Sequence, residues 1–177
     1  TLSLHDALPI SRDHEANPQR GCFSSLYVSY GQSISKRPNY SYLFTNAEHR
    51  QYFTLIPRHL TFAYRVGMKI KTAGTVPFFM LPVLGGSGTL RGIIGNRLIG
   101  NGVAYSNLEL RCIFLRKVIR SNNFYLAFSL FQDAGMIVQR YPLETSSAEA
   151  REYLRQGSNE KPHLSGGIGF YIAMNEN

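Results

Sequence analysis

Residues 60–71 read Leu-Thr-Phe-Ala-Tyr-Arg-Val-Gly-Met-Lys-Ile-Lys. Leu60, Phe62, Tyr64, Val66, Met68 and Ile70 alternate with Thr61, Ala63, Arg65, Gly67, Lys69 and Lys71. A period of two therefore places the large apolar side chains on one face of a strand and three cations on the other. At about 3.3 Å per residue, a tilted strand of this length crosses a bilayer. A half-buried strand of a soluble sandwich alternates in the same way, so this stretch decides for β structure but not between lipid and water.

The pattern recurs on both sides of it. In 104–114 the row Ala104, Ser106, Leu108, Leu110, Cys112 and Phe114 opposes Tyr105, Asn107, Glu109, Arg111 and Ile113. In 124–135 Phe124, Leu126, Phe128, Leu130 and Ala134 oppose Ser129, Phe131, Asp133 and Gly135, with Gln132 interrupting the apolar row. Near the end of the chain Leu164, Ile168, Phe170, Ile172 and Met174 oppose His163, Ser165, Gly167, Gly169 and Tyr171. Residues 22–30 and 40–56 read as strands with weaker alternation, which brings the total to about six strands.

Between these strands the expected connections alternate in length: long at 31–39, short at 57–59, very long at 72–101, short at 116–123 and long at 140–162. A membrane barrel has short turns at one rim and long loops at the other, whereas a soluble meander has no reason to keep that rhythm. Ser146 and Glu149 form a capping-box pattern that predicts a short helix over 147–155 in the last loop. Tyr40, Tyr42, Tyr52, Phe53, Phe124 and Tyr125 near the strand ends suit an interfacial aromatic girdle.

Composition agrees with a folded chain. It is 44% hydrophobic and 17% charged, too apolar for disorder, yet it holds no run of about 18 apolar residues that would predict a spanning helix. The formal charge of +8 comes from basic residues spread along the chain, without the basic block of a nucleic-acid arm, and no nucleic-acid partner is expected. Cys22 and Cys112 lack metal-ligand or redox spacing, the histidines show no H-x-x-x-H pair, and Gly85-Gly86-Ser87-Gly88 is not followed by G-K-[ST]. No G-x-S-x-G elbow occurs, so neither an enzyme nor a metal or organic cofactor is expected. Residues 1–11 resemble one reading frame of a common sequencing adapter and are expected to be foreign, leaving 12–177 as the natural segment.

Three short motifs narrow the fold. Leu90-Arg91-Gly92-Ile93 lies in the very long connection, Asn107-Leu108-Glu109-Leu110 on the next strand, and Phe131-Gln132-Asp133-Ala134-Gly135 on the one after. In order and spacing they resemble the V/I-R-G-F/Y, glutamate and F-x-D-x-G segments of the bacterial outer-membrane surface antigen barrels, the BamA/TamA-like assembly factors. Ile93 stands where that family carries an aromatic residue. The resemblance implies an all-β, antiparallel transmembrane barrel of which about six strands are present, expected to be truncated at both ends, with 72–101 folded into the lumen.

Alternation points Glu109 and Asp133 into that lumen, where a carboxylate shielded from water needs a partner. A guanidinium offers five donors in a planar fork. Arg91 is therefore expected to pair with Asp133 and Glu109 as a lumen lock that includes Gly92 and Gly135, with Gly85, Gly86, Gly88 and Gly95 letting the loop turn and approach the wall. The resemblance further implies an outer-membrane location, contact with lipid, unfolded outer-membrane or secreted client proteins, and assembly partners reached through periplasmic domains outside this segment. Alternatives are a two-partner secretion transporter, a passive pore and a membrane anchor. A basic lumen of Arg65, Lys69, Lys71 and Arg111 suits anion passage in the pore reading.

Overall fold

The computed structural model describes residues 2–7, 11–12, 18–34, 40–119, 122–141 and 161–174. Among the described residues there are ten strands: β1 Leu2–Ala7, β2 Ser11–Arg12, β3 Gly21–Gln32, β4 Ser41–Ile56, β5 Leu60–Thr75, β6 Val83–Leu84, β7 Leu98–Ile99, β8 Gly102–Ile119, β9 Asn122–Gln139 and β10 His163–Met174. The six long ones form a meander in the order β3-β4-β5-β8-β9-β10, every neighbouring pair antiparallel, while β1 and β2 pair with the outer edge of β3. β6 and β7 make a separate two-stranded hairpin inside the connection from β5 to β8. The long sheet is open.

The strands run further than the alternating stretches that announce them. β5 continues to Thr75, and β8 and β9 reach to within two residues of each other, so the expected connections at 72–101 and 116–123 shrink to 76–101 and 120–121. The backbone ladder extends because it does not depend on side-chain alternation. A register shift between Ile113 and Leu115 resets the facing of β8, leaving Phe114 and Leu115 both exposed and hiding the rest of the strand from a period-two reading. The turn at 57–59 stays short: Arg58 adopts φ 64°, and the His59 N–H donates to the Ile56 carbonyl at 3.0 Å. The helix expected over 147–155 lies outside the described residues.

Each strand of 16–18 residues in β4, β5, β8 and β9 exceeds what a tilted crossing requires. The two faces of the sheet differ in kind. Leu26, Val28, Val66, Met68, Leu108, Leu130, Leu164, Ile168, Phe170 and Ile172 are all exposed on one face. That area is a liability in water and the expected surface in lipid. The opposite face carries Glu48, Arg50, Arg65, Tyr105, Asn107, Glu109, Arg111 and Asp133, together with the loop that packs on them.

Tyr42 and Tyr52 belong to this inner face and not to an outer girdle. Tyr42 tilts against Phe44 at 5.1 Å and Tyr52 is buried, whereas Phe53 stacks on Phe62 at 6.3 Å. Three inward rings share one packing device, in which an aromatic lies across the glycine opposite it in the ladder. Tyr42 covers Gly31, Tyr105 covers Gly67 and Phe131 covers Gly167; a Cβ at these glycines would meet the ring at 2.4, 2.5 and 2.8 Å.

Candidate functional site

The connection 76–101 braces itself before it meets the wall. Phe44, Val76 and Leu81 form a buried cluster at its root, and β6 pairs with β7 to make its stem. At the tip the Gly86 N–H donates to the Ile93 carbonyl at 2.8 Å, the Ile93 N–H donates to the Leu90 carbonyl at 3.1 Å, and Gly86 bridges Leu90. Gly85 is required here: its φ is 117°, and a Cβ would lie 2.2 Å from the Ile94 carbonyl oxygen. Gly88 and Gly95 are not required, contrary to expectation. Both have open space where a Cβ would stand, and the left-handed position after Gly95 is taken by Asn96 at φ 59°.

Leu84 and Leu90 are completely buried and pack with Val103, bordered by Ile93, Leu98 and Tyr105. Ile93, which stands where the resembled motif has an aromatic ring, thus packs against this cluster. Gly135 lies directly beneath: a Cβ there would sit 3.1 Å from Leu90 Cδ1 and 3.2 Å from Leu84 Cδ1.

Beside this apolar seat, the Arg91 side chain spans two rows of the wall. Asn107, Asp133 and Ser165 form one row across β8, β9 and β10; Glu109, Phe131 and Gly167 form the next. Arg91 Nε donates to Asp133 Oδ2 at 2.9 Å and Nη2 to Asp133 Oδ1 at 2.7 Å, the bidentate fork that a guanidinium offers a carboxylate. Its Nη1 donates to Glu109 Oε2 at 2.9 Å, and its backbone N–H adds a third donor to Asp133 at 2.9 Å. The guanidinium lies 3.8 Å over the Phe131 ring. Asp133 has no exposed surface, so its carboxylate is shielded from water and depends on these donors, whereas the Arg91 side chain stays partly exposed.

Neighbouring groups complete the contact. Glu109 Oε1 accepts from Arg111 Nε at 3.0 Å, so one carboxylate serves two guanidiniums. Asn107 Nδ2 donates to the Thr89 carbonyl at 2.6 Å. The Gly92 N–H donates to Ser165 Oγ at 3.3 Å, and a Cβ at Gly92 would lie only 2.6 Å from Ser165 Cβ. Because the obstructing atoms belong to the one short side chain of Ser165, which is fixed close to its backbone, Gly92→Ala is expected to push the loop off β10. In hydrogen exchange of the folded protein, amides of 86–93 should lose about tenfold in protection, and unchanged protection would contradict the assigned approach.

All five expected lock residues, Arg91, Gly92, Glu109, Asp133 and Gly135, are therefore in one place. Sequence reading missed Leu90, Asn107, Phe131 and Ser165 as participants. Their signal was present: each strand member lies on the inward alternation, and Phe131 opens the F-x-D-x-G segment. It also missed a second cluster, Glu48, Arg65 and Tyr105, because alternation on β4 is weak. Of the other cations expected in the lumen, Lys69 lies 5.2 Å over the Phe44 ring and Lys71 Nζ donates to the Gly74 carbonyl at 3.0 Å.

Residues 10–175 match the family described as the Omp85 superfamily domain. No curated protein and no solved structure matches the chain.

Proposed function

Because the chain belongs to the Omp85 superfamily, whose barrels lie in the bacterial outer membrane and serve protein insertion or secretion, we propose that it works as part of a BamA/TamA-like insertion barrel in which Arg91 locks the loop against the lumen wall. The observation that carries the lock is the engagement of Arg91 by buried Asp133 and by Glu109 across adjacent strands. Net stabilisation from a buried ion pair is small, but breaking one partner is expensive. Such a pair therefore selects one loop position over others, as a lumen gate or template requires. The clients of this reading are unfolded outer-membrane proteins, and its partners include lipid and assembly factors that bind other parts of the protein.

We also read residues 1–11 as foreign to the protein. The family match begins at residue 10, which is consistent with this reading for residues 1–9 but not for 10 and 11, and an open edge such as that of β3 accepts any β-prone segment. Secretion of a single exoprotein and passive conductance are the rival outcomes for the barrel.

Full-length protein in liposomes separates the three. Insertion predicts faster folding of an added unfolded outer-membrane barrel than empty liposomes allow. Transfer of an exoprotein into the vesicle interior without faster folding would establish secretion instead, and steady ion conductance with neither effect would establish a pore.

A further inference from the structure

Arg91 reaches from the loop to the wall, and a second guanidinium reaches from the wall to the loop. Arg65, on β5, donates through Nη1 to the Gly88 carbonyl at 2.7 Å. The contact is on the far side of the tip from Asp133: Arg65 stands on β5, whereas Asp133 stands two strands away on β9.

Arg65 is not a loose surface side chain. Its Nε donates to Glu48 Oε2 at 2.9 Å, Nη2 donates to the same oxygen and, at 2.9 Å, to the Tyr105 hydroxyl. Tyr105 in turn donates to Glu48 Oε2 at 2.8 Å, and the guanidinium lies 4.8 Å over the Tyr105 ring. The Tyr105 ring occupies this place because Gly67 opposite it has no side chain. Arg50 also binds Glu48, through Nε at 2.6 Å. Arg50 and Arg65 face each other directly in the β4–β5 ladder, an arrangement of like charges that is unfavourable unless a carboxylate lies between them. Glu48 is that carboxylate, and with both its oxygens so used, Arg65 is held with Nη1 turned toward the loop.

We propose that Arg65, positioned by Glu48, Tyr105 and Gly67, is a second latch that holds the loop tip by its Gly88 backbone carbonyl. It rests on the reading of 76–101 as a loop locked in the lumen. The two latches differ in what they recognise. Arg91 requires a carboxylate partner and is sequence-specific at both ends. Arg65 grips a main-chain carbonyl and tolerates any residue at position 88 that keeps the backbone path. The other contacts of the tip with the wall, from Asn107 to Thr89 and from Gly92 to Ser165, come from β8 and β10, so Arg65 on β5 adds a hold on the opposite side from Arg91.

The test uses full-length protein in outer membranes, with Cys22 and Cys112 replaced by Ser and a reporter Gly95→Cys, a position with open space around it. A membrane-impermeant maleimide reads loop opening as its labelling rate. Arg65→Ala is expected to raise that rate about tenfold, the loss of one charge-assisted hydrogen bond to the loop. Arg65→Lys should do nearly the same, because an ammonium cannot serve Glu48 and Gly88 in the planar geometry of the fork. Tyr105→Phe, which removes only the positioning hydroxyl, should give a smaller rise.

Heat-modifiable migration on gels keeps loop release apart from misfolding. If Arg91→Ala raises labelling and Arg65→Ala, in folded barrels, does not, the second latch is overturned while the first stands. If neither substitution raises it, the locked-loop reading itself fails, and this proposal with it. An increase with Arg65→Ala that appears only in barrels with lost heat-modifiability also overturns the latch.

Discussion

Arg91→Ala in the full-length protein is expected to release the loop while leaving the barrel folded. The substitution strands Asp133, a carboxylate with no exposed surface, with the backbone N–H of residue 91 in place of three donors from that residue. Breaking one side of a buried pair costs about 3–5 kcal/mol when the remaining charge stays buried. Here a cheaper route exists: the loop lifts, and water in the lumen reaches Asp133.

Since the Arg91 side chain is itself one-fifth exposed, the cost is discounted, and the labelling rate at Gly95→Cys should rise on the order of a hundredfold. The double variant Arg91→Ala/Asp133→Asn leaves a neutral amide in place of the stranded charge and should label more slowly than the single one. Equal rates would show that the charge at Asp133 does not drive the loop out. Glu109→Gln should do less, because the lost partner of Arg91 is the second of two carboxylates.

Leu90→Ala is the other large effect. Leu90 is completely buried between Leu84, Val103 and the backbone of Gly135, and truncation of such a side chain costs about 2–5 kcal/mol, rising with the cavity left behind. The loss should appear as reduced hydrogen-exchange protection of the tip amides that are bonded across it, Gly86 and Ile93.

The seat offers a size test. Gly135→Ala alone brings a methyl to 3.1 Å from Leu90 Cδ1, a contact that the leucine tip relieves by a small shift. In Leu90→Ala/Gly135→Ala the same methyl enters the cavity, so protection should recover in part. Full additivity of the two losses would mean that Leu90 and Gly135 do not share a contact.

How far the sequence carries the reading depends on what each residue must satisfy. Facing is settled locally: whether Tyr105, Glu109 or Asp133 points inward follows from counting by two along a strand whose other face is apolar, and the inner face has these residues where the count puts them. The count fails where the backbone departs from it. The shift at Ile113–Leu115 hides the last turnward part of β8, and weak alternation on β4 hides Glu48.

Glycine is ambiguous for the same reason. Gly85 and Gly92 are fixed by a positive φ and by Ser165, while Gly88 and Gly95, alike in sequence, stand in open space. Nothing local to those four distinguishes them.

By itself, then, the sequence determined the β class, the faces of the strands, the loop rhythm and the three motifs that pointed to one barrel family. Each is written in periodicity or in short runs of adjacent residues. Only the tertiary structure decided which groups meet. Arg65 with Gly88, Phe131 beneath Arg91 and Leu90 on Gly135 are contacts between distant segments, set by ladder register and by the height at which the loop returns. A one-residue change in that register would flip every inward side chain to the lipid face, and no composition or spacing along the chain measures it.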